Sequence, residues 1–361
     1  MFSWLLAAAL ALSSPAPAQA ATIAPDPIPR SEVMAMPPEL RAQVHEIVIG
    51  NDASPRQRFQ RLMNFVVDSD GLGMTYEEEA TYTVAEAYAT RKANCLTFTL
   101  LVMALAKEAG LEAYPQEVGE TLSWRQVEGT IYRDNHINAG VRVNGHRFTI
   151  DPAADLIFLP RPPVKVSQER LLSHYYNNVA VDRLQQGRLD AALQNMAVAI
   201  ELDPSYATLW SNVGVMHLHN GNTAAAERAY LKALALDPSD SSALFNMVQL
   251  LHQRNDSRER GYRQRLARVE QKDPLQQFLQ ALDQERTGNY TRAIDSMRRA
   301  IQLKPDEHRF YAALARIYER AGDLSRARSA LAGAQSHSRG KVQAHYQAER
   351  ERLRRLQATR D

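Results

Sequence analysis

Two hydrophobic rhythms divide this 361-residue chain. From about residue 31 to 160 helical and strand patterns are mixed, and beyond about residue 173 the pattern is helical throughout. In the first part, Ser54-Pro55-Arg56-Gln57 sets a capping hydroxyl, a Pro at the first helical position and a Gln three residues after the cap, which predicts a helix to Val67. Thr83 and Glu86 make a second start of this kind, leading to Arg91. Cys95 to Ala109 is apolar nearly all round, the mark of a buried helix, and Gly110 ends it. Leu111 to Val118 reads as a strand, residues 119–134 as a polar surface loop, and Glu77-Glu78-Glu79 as a solvated first helical turn.

Asn144-Gly145 sits between two alternating runs and predicts a tight hairpin. With those two residues as the loop, Val143 pairs with His146, Val141 with Phe148, Ala139 with Ile150 and Asn138 with Asp151. Ile137, Ala139, Val141, Val143, Phe148 and Ile150 then share one apolar face, expected to be the buried one, and His136, Asn138 and Asp151 share the other. His136 and Asp151 become diagonal neighbours, roughly 7–8 Å apart at the backbone. Asp151-Pro152 closes the hairpin, and the prolines from Pro160 to Pro163 open a linker over 161–172.

Past the linker a period of about 34 residues appears. Gly187, Gly221, Gly288 and Gly322 fall at turn positions, with Asn255 in the gap. Small residues recur at Ala192, Ala226, Ala293 and Ala327, and again at Ala199, Ala233, Ala267, Ala300 and Ala334. Small residues let two antiparallel helices approach closely, the Gly turns the chain, and Pro stops the second helix. Trp210, Gly214, Tyr230, Ala233 and Pro238 closely resemble the tetratricopeptide pattern. The count is about five units over 173–335, the third degenerate, with a polar capping helix over 342–359. Such an array implies a solenoid whose concave groove holds a protein or peptide partner.

Composition narrows the class. Hydrophobic residues make up 45% and charged residues 23%, with a net charge of +2, which gives no argument for nucleic acid or an anionic membrane as a partner. Residues 1–20 carry a short apolar core, Leu5 to Leu12, then Ala18-Gln19-Ala20, and read as a signal peptide cut after Ala20. The expected location is periplasmic or secreted, with no transmembrane segment. Cys95 is the only cysteine, so no intramolecular disulfide can form, and a lone thiol in an oxidising compartment calls for burial or use. One Cys and no HExxH motif give a zinc site no support, and no cofactor is implied.

Chemistry is expected of Cys95, His136 and Asp151. Unpaired backbone N–H groups at the first turn of a helix favour thiolate, and a nucleophilic Cys needs a base held in one tautomer. His146, at the hairpin tip, has no role in this scheme. The stretch TVAEAYATRKANCLTFTLLVMALAKEAGLEAYPQEV (83–118) and the stretch HINAGVRVNGHRFTIDP (136–152) resemble the core of the transglutaminase-like superfamily. That resemblance implies an α+β papain/transglutaminase-like domain over 31–160, ahead of the all-α repeat solenoid. It implies Cys95 as nucleophile, His136 as general base and then acid, and Asp151 as the orienting carboxylate. Ala93 departs from the Gly that the family commonly has beside the Cys. The oxyanion-stabilising side chain has no clear counterpart, with Gln116 and Trp124 as weak candidates. The implied activity is acyl transfer on an amide or isopeptide, and the alternative is a non-catalytic periplasmic scaffold with an idle thiol domain. Some relatives of this superfamily need calcium, but no Asp-rich calcium loop is present.

Overall fold

The computed structural model describes residues 26–118, 124–127, 130–133, 136–151 and 163–358, with the backbone alone for residue 118, 124–127, 130–133 and residue 136. The expected signal peptide lies outside the described residues. Two short helices, α1 (Arg30–Val33) and α2 (Pro38–Gln43), the latter continued as a π-helical segment over Val44–Ile49, lead into α3 (Pro55–Val67). Strands β1 (Thr75–Tyr76) and β2 (Lys92–Ala93) pair in parallel on either side of α4 (Val84–Thr90). Both capping boxes form as the sequence predicts: Ser54 and Gln57 open α3, and Thr83 and Glu86 open α4. Glu77 to Glu79 form a turn between β1 and α4, not a helix start, and Glu77 pairs with Lys92 at 2.7 Å.

Helix α5 (Cys95–Glu108) runs through the core with every residue from Leu96 to Ala106 buried. Strands β3 (Glu112–Val118), β4 (Trp124–Val127), β5 (Thr130–Arg133), β6 (His136–Val143), β7 (His146–Ile150) and β8 (Val164–Lys165) follow. Four of them form an antiparallel sheet in the order β7-β6-β3-β8. The stretch expected to be loop carries β4 and β5, an antiparallel pair of their own.

The β6–β7 register is the one the turn dictates: Val143 opposes His146, Val141 opposes Phe148 and Ala139 opposes Ile150. Asn144 and Gly145 both take positive φ, 51° and 82°, as a type I′ turn requires. Ile137, Ala139, Val141, Val143 and Ile150 are buried, but Phe148 is 41% exposed. Its strand is the sheet edge, so only one neighbour flanks it, and its ring lies against Phe59 of α3 with centroids 4.8 Å apart.

Ten helices then form five antiparallel pairs: α6 (Gln168–Gln185) with α7 (Leu189–Leu202), α8 (Ala207–His219) with α9 (Thr223–Leu236), α10 (Ser241–Gln253) with α11 (Glu259–Glu270), α12 (Pro274–Arg286) with α13 (Tyr290–Leu303), and α14 (His308–Arg320) with α15 (Leu324–Ser336). Helix α16 (Gly340–Ala358) packs on α15. The first of these helices starts at Gln168, inside the stretch read as linker. Gly187, Gly221, Gly288 and Gly322 all adopt left-handed backbone, and Asn255 does the same in the third unit. The close approach is most direct in the second unit, where a Cβ on Gly214 would lie 2.2 Å from the Tyr230 ring. Ala192, Ala226, Ala293 and Ala327 are fully buried, as are Ala199, Ala233, Ala300 and Ala334. Ala267 is exposed instead, and in α11 only Leu266 is buried. The third pair lacks the small residue one period after Ala226, where Arg260 stands, so α11 cannot settle onto α10 in the register of the others.

One hydrophobic core runs without a break from Val33 through α5 and the sheet into the first repeats, ending at Leu251. The last two pairs and α16 enclose a separate core from Ala281 to Leu353. No described helix is long and apolar enough to cross a membrane.

Candidate functional site

Cys95 is the first residue of α5, half-buried and with a free thiol. Asn94 caps the helix, its side-chain oxygen accepting from the Thr97 N–H at 2.9 Å, and its amide donates to Thr81 Oγ1 at 2.9 Å. The loop ahead of α4 is held to the same turn, since Thr97 Oγ1 donates to the Ala80 carbonyl at 2.8 Å. These bonds fix the first turn of α5 from two sides, so the thiol sits on a rigid support. Ala93, just before the cap, is 2% exposed and belongs to β2.

A single hydroxyl ties that turn to the sheet. Thr99 Oγ1 lies 2.8 Å from the carbonyl oxygen of Cys95 and 3.2 Å from that of Ile137, so its one proton is shared between helix and strand. Ile137 is the second residue of β6, directly after His136. The structure therefore sets the first residue of α5 close to the start of β6 at the backbone. The His136 side chain lies outside the described residues. Its backbone opens β6 opposite Val118 of β3.

Asp151 follows β7 and is half-buried. Its Oδ2 accepts a hydrogen bond from Asn138 Nδ2 at 3.1 Å, so the pair that the hairpin register sets opposite each other is in contact. Asn138 itself is fully buried. On the same face Gln116 is 9% exposed, and its Oε1 accepts from Thr149 Oγ1 at 3.2 Å. Gln116 opposes Asn138 across the β3–β6 ladder, so a polar layer crosses three strands, buried at Asn138 and Gln116 and exposed at Thr149 on the edge strand. By sequence Gln116 is only a weak oxyanion candidate, and Asn138 and Thr149 have no evident task. The signal that could have found this layer is Gly140. A Gly inside a strand marks a close approach, and a Cβ there would lie 2.4 Å from the Tyr114 ring and 2.9 Å from the Gln116 side chain. Trp124 opens β4, and its side chain lies outside the described residues.

The core face of the same sheet meets the first repeat helix through charges. Glu117 Oε1 lies 3.2 Å from His174 Nε2, off the line of a directed hydrogen bond, and Arg170 Nε lies 3.7 Å from Glu117 and 3.2 Å from Asp203. The Arg170 guanidinium also sits 3.8 Å over the Tyr206 ring. Burial pushes the Glu117 carboxyl upward, but His174 and Arg170 outweigh it and hold the group below its ordinary range. This network joins β3, α6 and the α7–α8 turn, and reads as a structural seam.

The repeats differ along their length. Asn212 Nδ2 donates to Asn177 Oδ1 at 2.7 Å between neighbouring first helices, a neutral polar rung. Farther on, Glu285 is 4% exposed and takes Arg316 on both oxygens, at 2.9 and 2.8 Å, and Glu319 takes Arg352 in the same bidentate way.

The tetratricopeptide-repeat family model matches residues 180–241 and 278–341, on either side of the third pair. Among solved structures, MamA from Desulfovibrio magneticus RS-1 is 17% identical over 53% of this chain and 98% of its own, with a TM-score of 0.27. YrrB, a tetratricopeptide protein described as having an unusual peptide-binding site, is 18% identical over 48% of this chain and 91% of its own, with a TM-score of 0.27. PilF of Pseudomonas aeruginosa is 17% identical over 54% of this chain and 100% of its own, with a TM-score of 0.28. No curated protein matches the chain. The repeats are tetratricopeptide repeats on the family model and on their own geometry, and such an array is a scaffold for protein–protein contact.

Proposed function

We propose that the chain is a transglutaminase-like thiol enzyme acting on an amide or isopeptide bond, whose repeats recruit the protein that carries this bond. The observation that supports it best is the tie through Thr99, which brings the turn bearing Cys95 to the residue next to His136. The bond from Asn138 to Asp151 adds to it, since it puts the orienting carboxylate on the face that the strand alternation assigns to His136. In the reaction, the Cys95 sulfur attacks the carbonyl carbon while His136 takes the thiol proton. His136 returns that proton to the leaving amine as the C–N bond breaks, leaving a thioester on Cys95. Water then attacks the thioester, the C–S bond breaks and the thiol is restored. An exported protein meets water everywhere, which favours hydrolysis over transfer to a second amine. Export itself, by removal of residues 1–20, is part of the proposal. N-terminal sequencing of the mature protein tests it, with a start at Ala21 as the expected result.

A second reading is a scaffold whose thiol domain is idle. The buried Ala93 favours it, because the family commonly has Gly at this position ahead of the Cys. Two variants in the native host separate the readings. If the thiol acts, Cys95→Ala reproduces the phenotype of full deletion. If the protein only scaffolds, Cys95→Ala behaves as wild type and only removal of residues 173–361 gives the deletion phenotype.

A further inference from the structure

Asn138 is the least expected residue in the sheet. It is fully buried, it lies on the face of β6 opposite to Ile137 and Ala139, and among the described residues its Oδ1 has no hydrogen-bond partner. A buried carbonyl without a donor is costly, and a Val would fill a buried strand position without that cost. What the amide supplies is its other end, the Nδ2 that reaches Asp151 Oδ2 at 3.1 Å. The orientation follows from the chemistry, because an amide oxygen turned toward a carboxylate would repel it. The layer around the pair is built to hold it still. Gly140 leaves room for Gln116 to pass over β6 and take the Thr149 hydroxyl, and the Tyr114 ring covers the same gap. Tyr114 is in turn capped by Lys165 of β8, whose ammonium lies 4.9 Å from the ring centroid. The Asn138 amide is thus locked between the Asp151 carboxylate and a packed polar layer.

We infer that Asn138 is a positioning residue for Asp151. It fixes one carboxylate oxygen so that the direction of the other is set toward the base. This rests on the proposed thiol chemistry and deepens it, because a carboxylate free to rotate would hold an imidazole in one tautomer only part of the time. The account differs from a purely structural role in what it predicts for proton handling. Removing a structural amide lowers stability and leaves the thiol's pH response alone. Removing a positioning amide changes the pH response at Cys95, 43 residues earlier in the chain.

The experiment follows iodoacetamide capture of Cys95 in the purified mature chain from pH 5.5 to 9.5, for wild type, Asn138→Ala, Asn138→Asp and Asp151→Asn, with thermal melting as a check on folding. Wild type is expected to react at pH 6.5 at close to its plateau rate. Asn138→Ala is expected to lose about 10-fold at pH 6.5 and little at pH 9.5, where any thiol is ionised. Asn138→Asp is expected to lose more than Ala, since it sets a like charge beside Asp151. Asp151→Asn should lose the most. If Asn138→Ala and Asn138→Asp both keep the wild-type profile while Asp151→Asn loses it, the positioning role is wrong and the thiol chemistry stands. A wild type that itself reacts only above about pH 8.5 overturns both. Should Asn138→Ala fail to fold, Asn138→Ser keeps the test, because its hydroxyl cannot span the distance to Asp151 but fills part of the space.

Discussion

The chain holds two packed blocks that use the same repeat in different ways. In the first, the helices of the opening repeats share one core with α5 and the sheet, from Val33 to Leu251. In the second, the last two repeats and α16 close on themselves, from Ala281 to Leu353. A small cluster around Ala233, Leu244 and Leu266 lies between them, at the pair where the repeat decays. The lesson is that a repeat array can serve as the wall of a neighbouring domain at one end and as a free module at the other. The seam of Glu117, Arg170, His174 and Asp203 and the strap through Asp26, whose carboxylate takes Arg183 at 2.7 Å and Arg188 at 3.1 Å, belong to the first block. The second block relies on bidentate Arg–carboxylate rungs across neighbouring helices.

The largest effect that would break this division comes from Tyr176→Ala. Tyr176 is fully buried in the first core and its hydroxyl donates to the Ile28 carbonyl at 2.6 Å. The loss should be about 3–5 kcal/mol. Hydrogen exchange followed by peptide mass should show α5 and α6–α9 losing protection together, with α12–α16 unchanged. Protection lost in the repeats alone would mean that the first block is really two. In the second block, Glu285→Gln keeps the shape of a buried side chain but removes the charge held by Arg316 and Arg320. The expected loss is about 2 kcal/mol, confined to α12–α16, read from the same exchange experiment.

Acid should separate the blocks next. The folded carboxyls of Glu117 and Asp26 lie below their ordinary values, burial being outweighed by His174 and Arg170 in one case and by Asn195, Arg183 and Arg188 in the other. A group depressed in the folded state stabilises fully above its unfolded value, about 4.3 for Glu and 3.9 for Asp, and that stabilisation is lost as pH falls through the folded value. Urea midpoints should therefore fall for the first block below about pH 4.5, and Glu117→Gln should flatten part of that fall. The smallest effect is the sharpest test of the third repeat. Ala267→Lys should change stability by no more than about 0.5 kcal/mol, whereas Ala300→Lys, at a fully buried position one period on, should unfold its pair.

Much of this architecture was legible in the sequence, because the legible parts are local. The turn residues Asn144 and Gly145 determine the β6–β7 register, and the caps at Ser54 and Thr83 determine two helix starts. The repeat was legible because its constraint, a small residue where helices touch, recurs. What stayed hidden depends on contacts across the chain. Burial of Asn138 needs β3 beside β6, a pairing that no short-range pattern announces. Phe148 follows the apolar alternation, yet lies on an edge strand that only the sheet order reveals. The Thr130-Ile131-Tyr132 stretch of β5 carried β-branched and aromatic residues, but the charged residues around it favoured a loop. Ala267 kept the period of the small set while its partner position did not, and a period alone cannot tell a kept contact from a lost one.

The claim on which the functional account depends is that an imidazole makes a lone sulfur nucleophilic. The most direct measurement is the rate at which the purified mature chain is carboxamidomethylated at Cys95 at pH 6.5, compared with His136→Ala. The account predicts rapid capture in the wild type and at least a 10-fold loss in the variant, with the two rates converging near pH 9.5. Equal rates at pH 6.5 would contradict it.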